Sequence, residues 1–415
     1  MTWSIAPLEL VREVGPYTFV GGPFGSNLTS RDYVDDGIPV IRGGNLPLDA
    51  RFHDGDYVFV SSAKADTLRS NMAFPGDIVF TQRGTLGQVG MIPLDARYDR
   101  YVISQSQMKL TVDPNRACAA YVYYYFRQPE VVQALIGHAA TSGVPHINLG
   151  VLREFKVRLP AVVLQQKIAG ILTAYDDLIE NNRRRMVLLE DAARLLYQEW
   201  FVRLRFPGRE HTRIEDGVPE GWRRRDLGAV ATFLSGGTPS KACADFWEGE
   251  IPWVSSGELT ALRIDDASLH VTEEAVEAGS RLVPPRTILG VVRGMSLAKE
   301  FRLAMTSRTV CFNQDLKAIV AGPEVDADYL FHALVAQRDT IRDRAGEASH
   351  GTKKLDTPVL ASTPILVPRR SVQRAFFDVV DPINRLWDNL NRQNRQLRAA
   401  RDLLLPRLMR GELLP

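Results

Sequence analysis

Apolar residues recur at alternating steps of four and three along residues 165–201, which predicts a long amphipathic helix. The apolar seam of this helix contains one polar residue, Asn182. The same spacing returns along residues 373–410, where every seam position lies 208 residues after a seam position of the first stretch. At 1.5 Å per residue, the first helix would be about 55 Å long. Charged residues such as Asp176 and Glu190 flank its seam, and we expect them to form a solvated outer face.

The polar seam residues favour an antiparallel pairing of the two helices. In a parallel pair in register, each buried Asn would face a hydrocarbon side chain and cost about 1–3 kcal/mol. In an antiparallel pair, Asn182 can lie opposite Asn394, so that the two amides bond each other and fix the register. The same register predicts the further layers Leu189–Trp387, Trp200–Phe376 and Tyr175–Arg401. The alternative is that each helix packs separately on its own globular domain.

The rest of the chain follows the same repeat, with an interval of 208 to 214 residues between matching segments. The fold class we predict is mixed α/β: two α+β domains joined by two long antiparallel coiled-coil helices in a pseudo-two-fold repeat. The predicted domains and helices are residues 1–160, 161–206, 207–368 and 369–415. Residues 203–213 are rich in charge and contain Pro and Gly, which predicts a linker at a domain boundary.

Short elements are predicted within the globular segments. Residues 77–81, 101–112 and 155–159 have the pattern of strands, and residues 119–126 have the pattern of a helix. The matching segments of the two halves are 19–26 with 233–240, 38–46 with 251–259, 77–84 with 287–294, 105–109 with 313–317, and 141–147 with 349–355. The residues that form the common scaffold of these segments, called the frame below, recur in both halves, whereas the loop residues differ. Such a change predicts two related readers with different specificities.

Composition excludes several classes of protein. The formal net charge is +2, which is not the strongly basic balance of a protein that binds by phosphate contacts alone. No run of about 18 apolar residues predicts a membrane span, and the first 16 residues do not resemble a signal peptide. The three cysteines are isolated, which argues against a zinc site and against a disulfide framework. We therefore expect a cytoplasmic protein that binds no metal.

Catalytic signatures are absent from the sequence. It contains no GxxxxGK[ST] phosphate loop, no HExxH and no GxSxG elbow. The glycines at residues 19–22 weakly resemble a cofactor-binding loop. The Asn/Asp-Pro-Pro-aromatic tetrapeptide of adenine methyltransferases is missing, however, so we interpret these glycines as a turn.

The remaining polar loops carry the side chains that read base edges. Arg and Lys suit guanine, Asn and Gln suit adenine, and Ser and Thr bond either. The candidates in the first half are Ser26, Arg42, Asn45, Gln82, Arg83, Thr85, Gln105, Gln107, Ser142 and His146. The candidates in the second half are Thr238, Ser240, Lys241, Ser255, Ser256, Arg293, Asn313, Gln314, His350, Thr352, Lys353 and Lys354. Any single one of them is more often an ordinary surface residue. Their recurrence at the same places in both halves favours DNA binding.

Several short motifs together resemble a known family, the specificity subunit of type I restriction–modification systems. The motifs that carry the resemblance include 38–46, 83–87, 165–168, 182–185, 199–201, 206–208, 219–222, 236–240, 251–253 and 313–314. They are spread over nearly the whole chain. The start of the second helix departs from the family pattern, because residues 367–374 read VPRRSVQR.

The resemblance implies a function and a set of partners. By resemblance, each recognition domain reads one half of a split, asymmetric site in double-stranded DNA. The helices would set the unread gap and dock two adenine methyltransferase subunits that bind S-adenosylmethionine. A motor-nuclease subunit would use ATP and Mg. This chain itself would carry no cofactor and no catalytic residue.

Other functions remain open on the sequence. The chain would instead be an enzyme if a nuclease or methyltransferase motif has been missed. It would be a two-headed coiled-coil scaffold if it binds proteins rather than DNA. A further alternative keeps the specificity role but places it in a methylation-only or other phage-defence complex.

Overall fold

A computed structural model describes residues 3–139, 145–348 and 352–415. The chain forms two compact units, and each long helix contributes one portion to each unit. Unit 1 comprises Met1–Asn182 and Gln393–Pro415, and unit 2 comprises Arg183–Arg392. The predicted division into two domains and two separate helices follows the sequence repeat rather than packing, and it stays a prediction.

The described residues of unit 1 form three sheets and four short helices besides its portions of the long ones. Its strands are β1 (Ser4–Pro7), β2 (Phe19–Gly21), β3 (Tyr33–Val34), β4 (Ile38–Ile41), β5 (Val58–Val60), β6 (Met72–Ala73), β7 (Ile78–Thr81), β8 (Val89–Met91), β9 (Tyr101–Ile103), β10 (Gln107–Leu110) and β11 (Lys156–Leu159). Its helices are α1 (Ser62–Thr67), α2 (Ala119–Tyr125), α3 (Pro129–Gly137), α4 (Leu149–Glu154) and the first part of α5 (Val162–Tyr197). The sheets have the strand orders β2-β10-β7-β8, β3-β5-β4-β9-β6 and β1-β11.

Unit 2 repeats this frame. Its strands are β12 (Ile214–Glu215), β13 (Val218–Pro219), β14 (Arg223–Asp226), β15 (Ala231–Ser235), β16 (Ile251–Val254), β17 (Arg263–Ile264), β18 (Leu269–Val271), β19 (Leu282–Val283), β20 (Ile288–Val291), β21 (Arg293–Gly294), β22 (Leu303–Thr306), β23 (Val310–Phe312), β24 (Leu316–Ala321), β25 (Gly346–Glu347), β26 (Lys353–Lys354) and β27 (Pro364–Val367). Its helices are α6 (Leu227–Val230), α7 (Glu273–Gly279), α8 (Ala327–Ala336), α9 (Arg338–Asp343), α10 (Thr357–Ala361) and the first part of α11 (Arg370–Met409). The orders β15-β24-β20-β22-β17, β18-β16-β23-β19 and β14-β27 match those of unit 1 strand for strand, apart from an extra edge strand in unit 1 and one in unit 2. Two small sheets, β21-β26-β25 and β12-β13, complete the unit.

The predicted strand over residues 101–112 is wrong in one respect, because two strands occupy it. β9 belongs to the five-stranded sheet of unit 1 and β10 to its four-stranded sheet. The chain crosses between the sheets in a turn, in which the Gln107 amide donates to the Ser104 carbonyl at 3.1 Å. Alternating apolar and polar residues do not reveal such a crossing, since the pattern of a strand continues on both sides of it.

Buried glutamines hold the start of each long helix. The Gln165 amide group donates to the Pro160 carbonyl at 2.8 Å, and Gln373 makes the same 2.8 Å bond to Pro368. Each helix begins two residues after its proline, so the unusual residues 367–374 leave the start of α11 unchanged. α5 ends in a π-turn over Gln198–Val202.

The antiparallel register is confirmed inside each unit. In unit 1 the Asn182 side chain donates to the Asn394 side-chain oxygen at 3.0 Å, and both residues are buried. In unit 2 the rings of Trp200 and Phe376 lie 6.0 Å apart. One coiled coil that runs unbroken along both helices stays a prediction.

Of the residues expected on the solvated face of α5, Asp176 is buried and Glu190 is partly buried. Asp176 forms an ion pair with Arg401 in unit 1, a partner that the seam, which places Arg401 opposite Tyr175, did not predict. In unit 2 the Trp387 indole donates to Glu190 at 2.9 Å, and burial raises the pKa of Glu190. The seam pattern missed both, because it counts carboxylates as solvated unless a partner on another element is known.

The predicted linker at residues 203–213 is partly a core segment. The rings of Phe206 and Trp222 lie 4.8 Å apart, and both are buried in the main core of unit 2. Hydrophobic burial of these two rings fixes the connector to the unit that follows it. Within the part of the chain that the structure describes, no helix is long and apolar enough to cross a membrane.

Candidate nucleic-acid interface

Three loops of unit 1 converge beyond the end of β7. The backbone N–H of Gln82 donates to the backbone carbonyl of Ser106, in the β9–β10 turn, at 2.7 Å. The backbone N–H of Ile147 donates to the backbone carbonyl of Gln82 at 3.0 Å. Arg83 forms an antiparallel bridge with His146. The fold thereby brings together candidates that are more than 60 residues apart in sequence.

A fourth loop, which contains Ser26, joins this cluster through Gln105. The Gln105 amide group donates to the carbonyls of Gly25 and Leu28, each at 2.6 Å. Gly22, just before this loop, allows the approach of the β9–β10 turn, because a β-carbon there would lie 2.0 Å from the Ser104 carbonyl oxygen. Gly22 therefore serves close backbone packing, whereas Gly21 lies in strand β2, so the prediction of a turn is wrong for residues 19–21.

Arg42 lies at the same end of the neighbouring sheet. It follows β4, which runs parallel to β9, and the Ser104 amide donates to the Ile41 carbonyl at 3.0 Å. The carboxyl ends of these two parallel strands therefore meet beside the cluster. The Arg42 guanidinium donates to the Asp56 carbonyl at 3.2 Å and remains exposed.

Two candidates of unit 1 position loops rather than face outward. Asn45 is 2% exposed; its amide group donates to the carbonyls of His53 and Gly55, and its oxygen accepts from the Arg42 amide. Gln107 is 1% exposed and accepts a hydrogen bond from Ser104. The outward-facing set is Ser26, Arg42, Arg83, Thr85 and Gln105. Gln82 and His146 are partly exposed and lie beside this set. Ser142 lies outside the described residues.

Unit 2 builds the same cluster with different side chains. The Val292 amide donates to Asp315 at 2.9 Å, and the Leu355 amide donates to Val292 at 2.8 Å. Arg293 pairs with Lys354 where unit 1 pairs Arg83 with His146. Arg293, Lys353 and Lys354 therefore lie in two adjacent, paired strands.

Asn313, Gln314 and Thr238 form the counterpart of the β9–β10 turn. The Thr238 hydroxyl donates to the Gln314 side-chain oxygen at 2.6 Å, so this glutamine also bridges to the loop after the first sheet strand. The Asn313 amide donates to Val254 as the Ser104 amide does to Ile41. The matching segments therefore align Ser104 with Asn313, and the predicted match of 105–109 with 313–317 is displaced by one residue. Similar polar composition on both sides of the turn hides this displacement in the sequence.

The other candidates of unit 2 divide by exposure. Asn313 is 6% exposed and its oxygen accepts from the Asp315 amide, so it supports the turn as Asn45 supports its loop. Ser255 and Ser256 follow β16 and are partly exposed. Ser240 and Lys241 are exposed, and the Trp247 indole donates to the Ser240 carbonyl at 3.2 Å. The Thr352 carbonyl accepts from Ala348, and His350 lies outside the described residues.

The sequence search missed two exposed apolar side chains in these loops. Phe24 is 87% exposed beside Ser26, and Met295 is 77% exposed two residues after Arg293. A search for hydrogen-bonding side chains passes over apolar ones. The surrounding glycines and prolines were the available signal, since a loop between strands offers an apolar residue few chances of burial.

No site for a metal is present among the described residues, which contain no group of three or more His, Cys, Asp or Glu with suitable geometry. Cys118, Cys243 and Cys311 are all free. Burial raises the pKa of the Cys311 thiol to about 11, which keeps it protonated and unreactive at neutral pH.

The comparisons with known proteins agree with this arrangement. The model of the type I restriction modification DNA specificity domain matches the chain twice, at residues 30–190 and 219–399. The MjaIX type I restriction enzyme specificity subunit of Methanocaldococcus jannaschii is 24% identical over 428 residues, which cover 99% of this chain and 93% of that protein. The EcoR124I/EcoR124II specificity subunit of Escherichia coli is 28% identical over 190 residues, 43% of this chain and 47% of that protein.

A solved structure supports the fold. The crystal structure of the S subunit of a type I restriction-modification system from M. genitalium aligns with a TM-score of 0.57 and 16% identity, and it covers 100% of this chain and 96% of that one. The two family matches span most of the sequence and coincide with the two copies of the repeat. The chain belongs to the family of type I restriction–modification DNA specificity proteins, with two recognition domains in tandem.

Proposed function

We propose that this chain is the DNA-sequence-specificity subunit of a type I restriction–modification complex, and that each unit reads one half of a split, asymmetric site. One observation carries the proposal: the same frame of loops is built twice and filled with different side chains. Arg83 and His146 occupy the places that Arg293 and Lys354 occupy in unit 2. Because the two units share a backbone frame, we expect them to dock on DNA in the same way. Because their loop side chains differ, we expect them to read different base sequences.

The exposed side chains of both clusters suit base edges and phosphates. Arg83 and Arg293 each lie next to a glycine with positive φ, Gly84 at +96° and Gly294 at +136°, which allows a close approach of the backbone to a ligand. An Arg at such a place can bond both acceptors of guanine in the major groove. The near-neutral net charge of the chain implies that partner subunits supply a large share of the phosphate contacts.

The two long helices would set the length of the unread gap between the half-sites. Their register is fixed by the Asn182–Asn394 hydrogen bond, which disfavours sliding of one helix along the other. A helix of about 55 Å exceeds one turn of B-DNA, which is about 34–36 Å. Two readers on such a spacer would reach successive turns of the same face of the duplex.

The exposed surface of the helices supports the docking of two copies of one partner. Leu178 on α5 and Leu386 on α11 are repeat equivalents, and they are 52% and 38% exposed. Leu195 and Leu403 are a second equivalent pair, 51% and 65% exposed. Each unit thus presents exposed leucines from both long helices, and unit 2 adds Leu188 of α5, 67% exposed, whose repeat equivalent is Gln396. Two equivalent apolar surfaces are what two identical methyltransferase subunits require.

The chemistry would lie outside this chain. In this proposal the methyltransferase subunits bind S-adenosylmethionine and methylate adenine, and a motor-nuclease subunit uses ATP and Mg to move along DNA and cleave it. This chain contributes recognition and positioning and carries no catalytic residue. The absence of the catalytic motifs sought in its sequence is consistent with that division.

The experiment that tests the proposal is a map of adenine methylation across the host genome, made by long-read sequencing with and without this gene. We expect methylation at one split motif, with two unlike halves and a fixed gap, to disappear with the gene. If the map does not change, the chain should next be co-expressed with a methyltransferase partner in a host that lacks adenine methylation. Absence of any new split motif there would contradict the proposal.

A change in helix length tests the spacer directly. Residues 183–189 and 387–393 lie opposite each other in the antiparallel register, so duplicating both segments adds one heptad to each helix and keeps every existing contact. The addition lengthens the spacer by about 10 Å, or about three base pairs. We expect a longer gap between unchanged half-sites. The matched control duplicates one segment only, which breaks the register and should abolish methylation; an unchanged gap in the double duplication would refute the spacer.

A further inference from the structure

The loop that follows β2 in unit 1 carries an apolar side chain, that of Phe24, next to polar residues. Phe24 is 87% exposed, the highest value among the large hydrophobic side chains of the described residues. It lies two residues before the exposed Ser26, in the loop that Gln105 joins to the β9–β10 turn. Single exposed apolar residues are common, so exposure alone does not assign a role.

The loop that carries Phe24 is held firmly. Pro23 before it is buried, and Leu28 after it is 3% exposed in a hydrophobic cluster. The Gln105 amide group donates to the carbonyls of Gly25 and Leu28, and the Asn27 amide donates to the Phe24 carbonyl at 3.0 Å. A loop fixed at both ends and clamped from a neighbouring turn cannot fold its ring back into the core. The chain therefore presents this ring outward in a defined position.

The same position in unit 2 holds a different side chain. The repeat aligns Phe24 with Thr238 and Gln105 with Gln314, through the equivalent strand pairs Gly21 with Met108 and Ser235 with Lys317. In unit 2 the Thr238 hydroxyl donates to Gln314, whereas in unit 1 the ring of Phe24 is left unpaired and Gln105 bonds the backbone. The two units therefore share a backbone frame here, but unit 1 has an apolar ring where unit 2 has a polar hydroxyl group.

We infer that Phe24 contacts the 5-methyl group of a thymine in the half-site read by unit 1. Thymine is the base that presents an apolar group in the major groove, and Phe is one of the side chains that contact it there. The neighbouring Arg83 and Gln105 are of the types that read major-groove edges, which places the ring in the same groove. Thr238 gives unit 2 a polar contact at the equivalent point, so this position distinguishes the two half-sites. The inference rests on the proposed function of the chain.

The test uses the complete complex with its methyltransferase partner and duplexes that carry the mapped split motif. Each thymine in the half-site of unit 1 is replaced in turn by deoxyuridine, which lacks only the 5-methyl group. We expect one replacement to slow methylation by wild type about fourfold, the factor that corresponds to burying one methyl group. The Phe24→Ser complex, which has no methyl group at this position, should be slower on thymine and should no longer distinguish thymine from deoxyuridine there.

The controls separate this inference from the function itself. Leu94→Ser alters an equally exposed residue of unit 1, at 86%, beside Gly76 at the start of β7 rather than at its end. That variant should retain the wild-type preference, and every variant should read the half-site of unit 2 unchanged. If wild type ignores deoxyuridine at every thymine, or if the half-site contains no thymine, the contact of Phe24 is refuted while the specificity function stands. Failure of wild type to methylate any split motif would instead refute the function.

Discussion

Units 1 and 2 share a frame but solve the same packing problem with different chemistry. Where α2 of unit 1 meets the long helices, the Tyr124 hydroxyl donates to Asp176 at 2.6 Å, and Asp176 forms a buried ion pair with Arg401. At the position equivalent to Tyr124, unit 2 has His332, and at the position equivalent to Asp176 it has Asn384. Each unit therefore buries a carboxylate at this junction, but unit 1 carries it on the long helix, whereas in unit 2 it belongs to Asp328 of α8, to which Asn384 donates at 2.8 Å.

The electrostatics of the two sites differ accordingly. Burial alone would lower the pKa of Arg401, but the adjacent Asp176 carboxylate raises it above its ordinary value. Burial, together with the charge of Asp176, also raises the pKa of Tyr124, which keeps its hydroxyl a donor. In unit 2, burial among aromatic rings lowers the pKa of His332 to about 4. The difference teaches that the repeat preserves the shape of this junction, whereas the helix that carries the buried charge can change.

Breaking the ion pair of unit 1 should have the largest effect. Arg401→Met leaves the Asp176 carboxylate buried without its partner, and we expect a loss of about 3–5 kcal/mol in the free energy of unfolding. The measurement is denaturant unfolding of the purified chain or complex. Arg407→Met, on the same helix but half-exposed beside Glu412, is the control and should cost about 0–1 kcal/mol.

A second substitution can restore the stability. Asp176→Asn in the Arg401→Met background removes the unpaired charge and copies the residue that unit 2 has at this position. Its oxygen still accepts from Tyr124, so we expect most of the loss to be recovered. If Arg401→Met were as mild as Arg407→Met, the buried pair would not contribute to the stability of unit 1.

Acidification should destabilise unit 2 through His332. The unfolded histidine takes up a proton near pH 6.5, whereas the folded one stays neutral down to about pH 4. Stability is therefore full above pH 6.5 and falls as the pH drops to 4, by about 3 kcal/mol in total. Unfolding curves between pH 7 and 4.5 measure this slope. His332→Phe should remove it, whereas His211→Phe, at an exposed position, should retain it; equal slopes in all three proteins would contradict the assignment.

The sequence predicts the helices and their register because those follow from a repeated spacing and two matching amides. Asn182 and Asn394 find each other in a single antiparallel register, and no other element is needed to see it. Asp176 and Arg401 could not be paired in the same way. The buried Asp176 carboxylate is stabilised by a hydrogen bond from the Tyr124 hydroxyl, and Tyr124 lies on a separate helix that the seam pattern does not include. The seam alone therefore assigned Arg401 to Tyr175.

The recognition loops were predicted as a set but not residue by residue. Repetition of polar loops in both halves singled out these segments, and backbone pairing at Arg83 and Arg293 brings loops together in each unit. Burial of Asn45 and Gln107 depends on neighbours such as His53 and Ser104, which no local pattern reveals. Polar type alone therefore cannot separate a side chain that contacts a ligand from one that supports a loop.

The smallest effect we predict compares the two readers through one equivalent arginine. Arg83→Ala should weaken discrimination at one base pair of the half-site of unit 1 by about 1–3 kcal/mol, and Arg293→Ala should do the same for unit 2. Methylation rates of the complex on single-base variants of both half-sites measure this. Asn45→Ala is the matched comparison: because this amide holds its loop from a buried place, its loss should lower methylation of all variants of that half-site together. A uniform loss in Arg83→Ala, without a change in base preference, would make Arg83 a phosphate contact and leave the difference between the readers to the other loop residues.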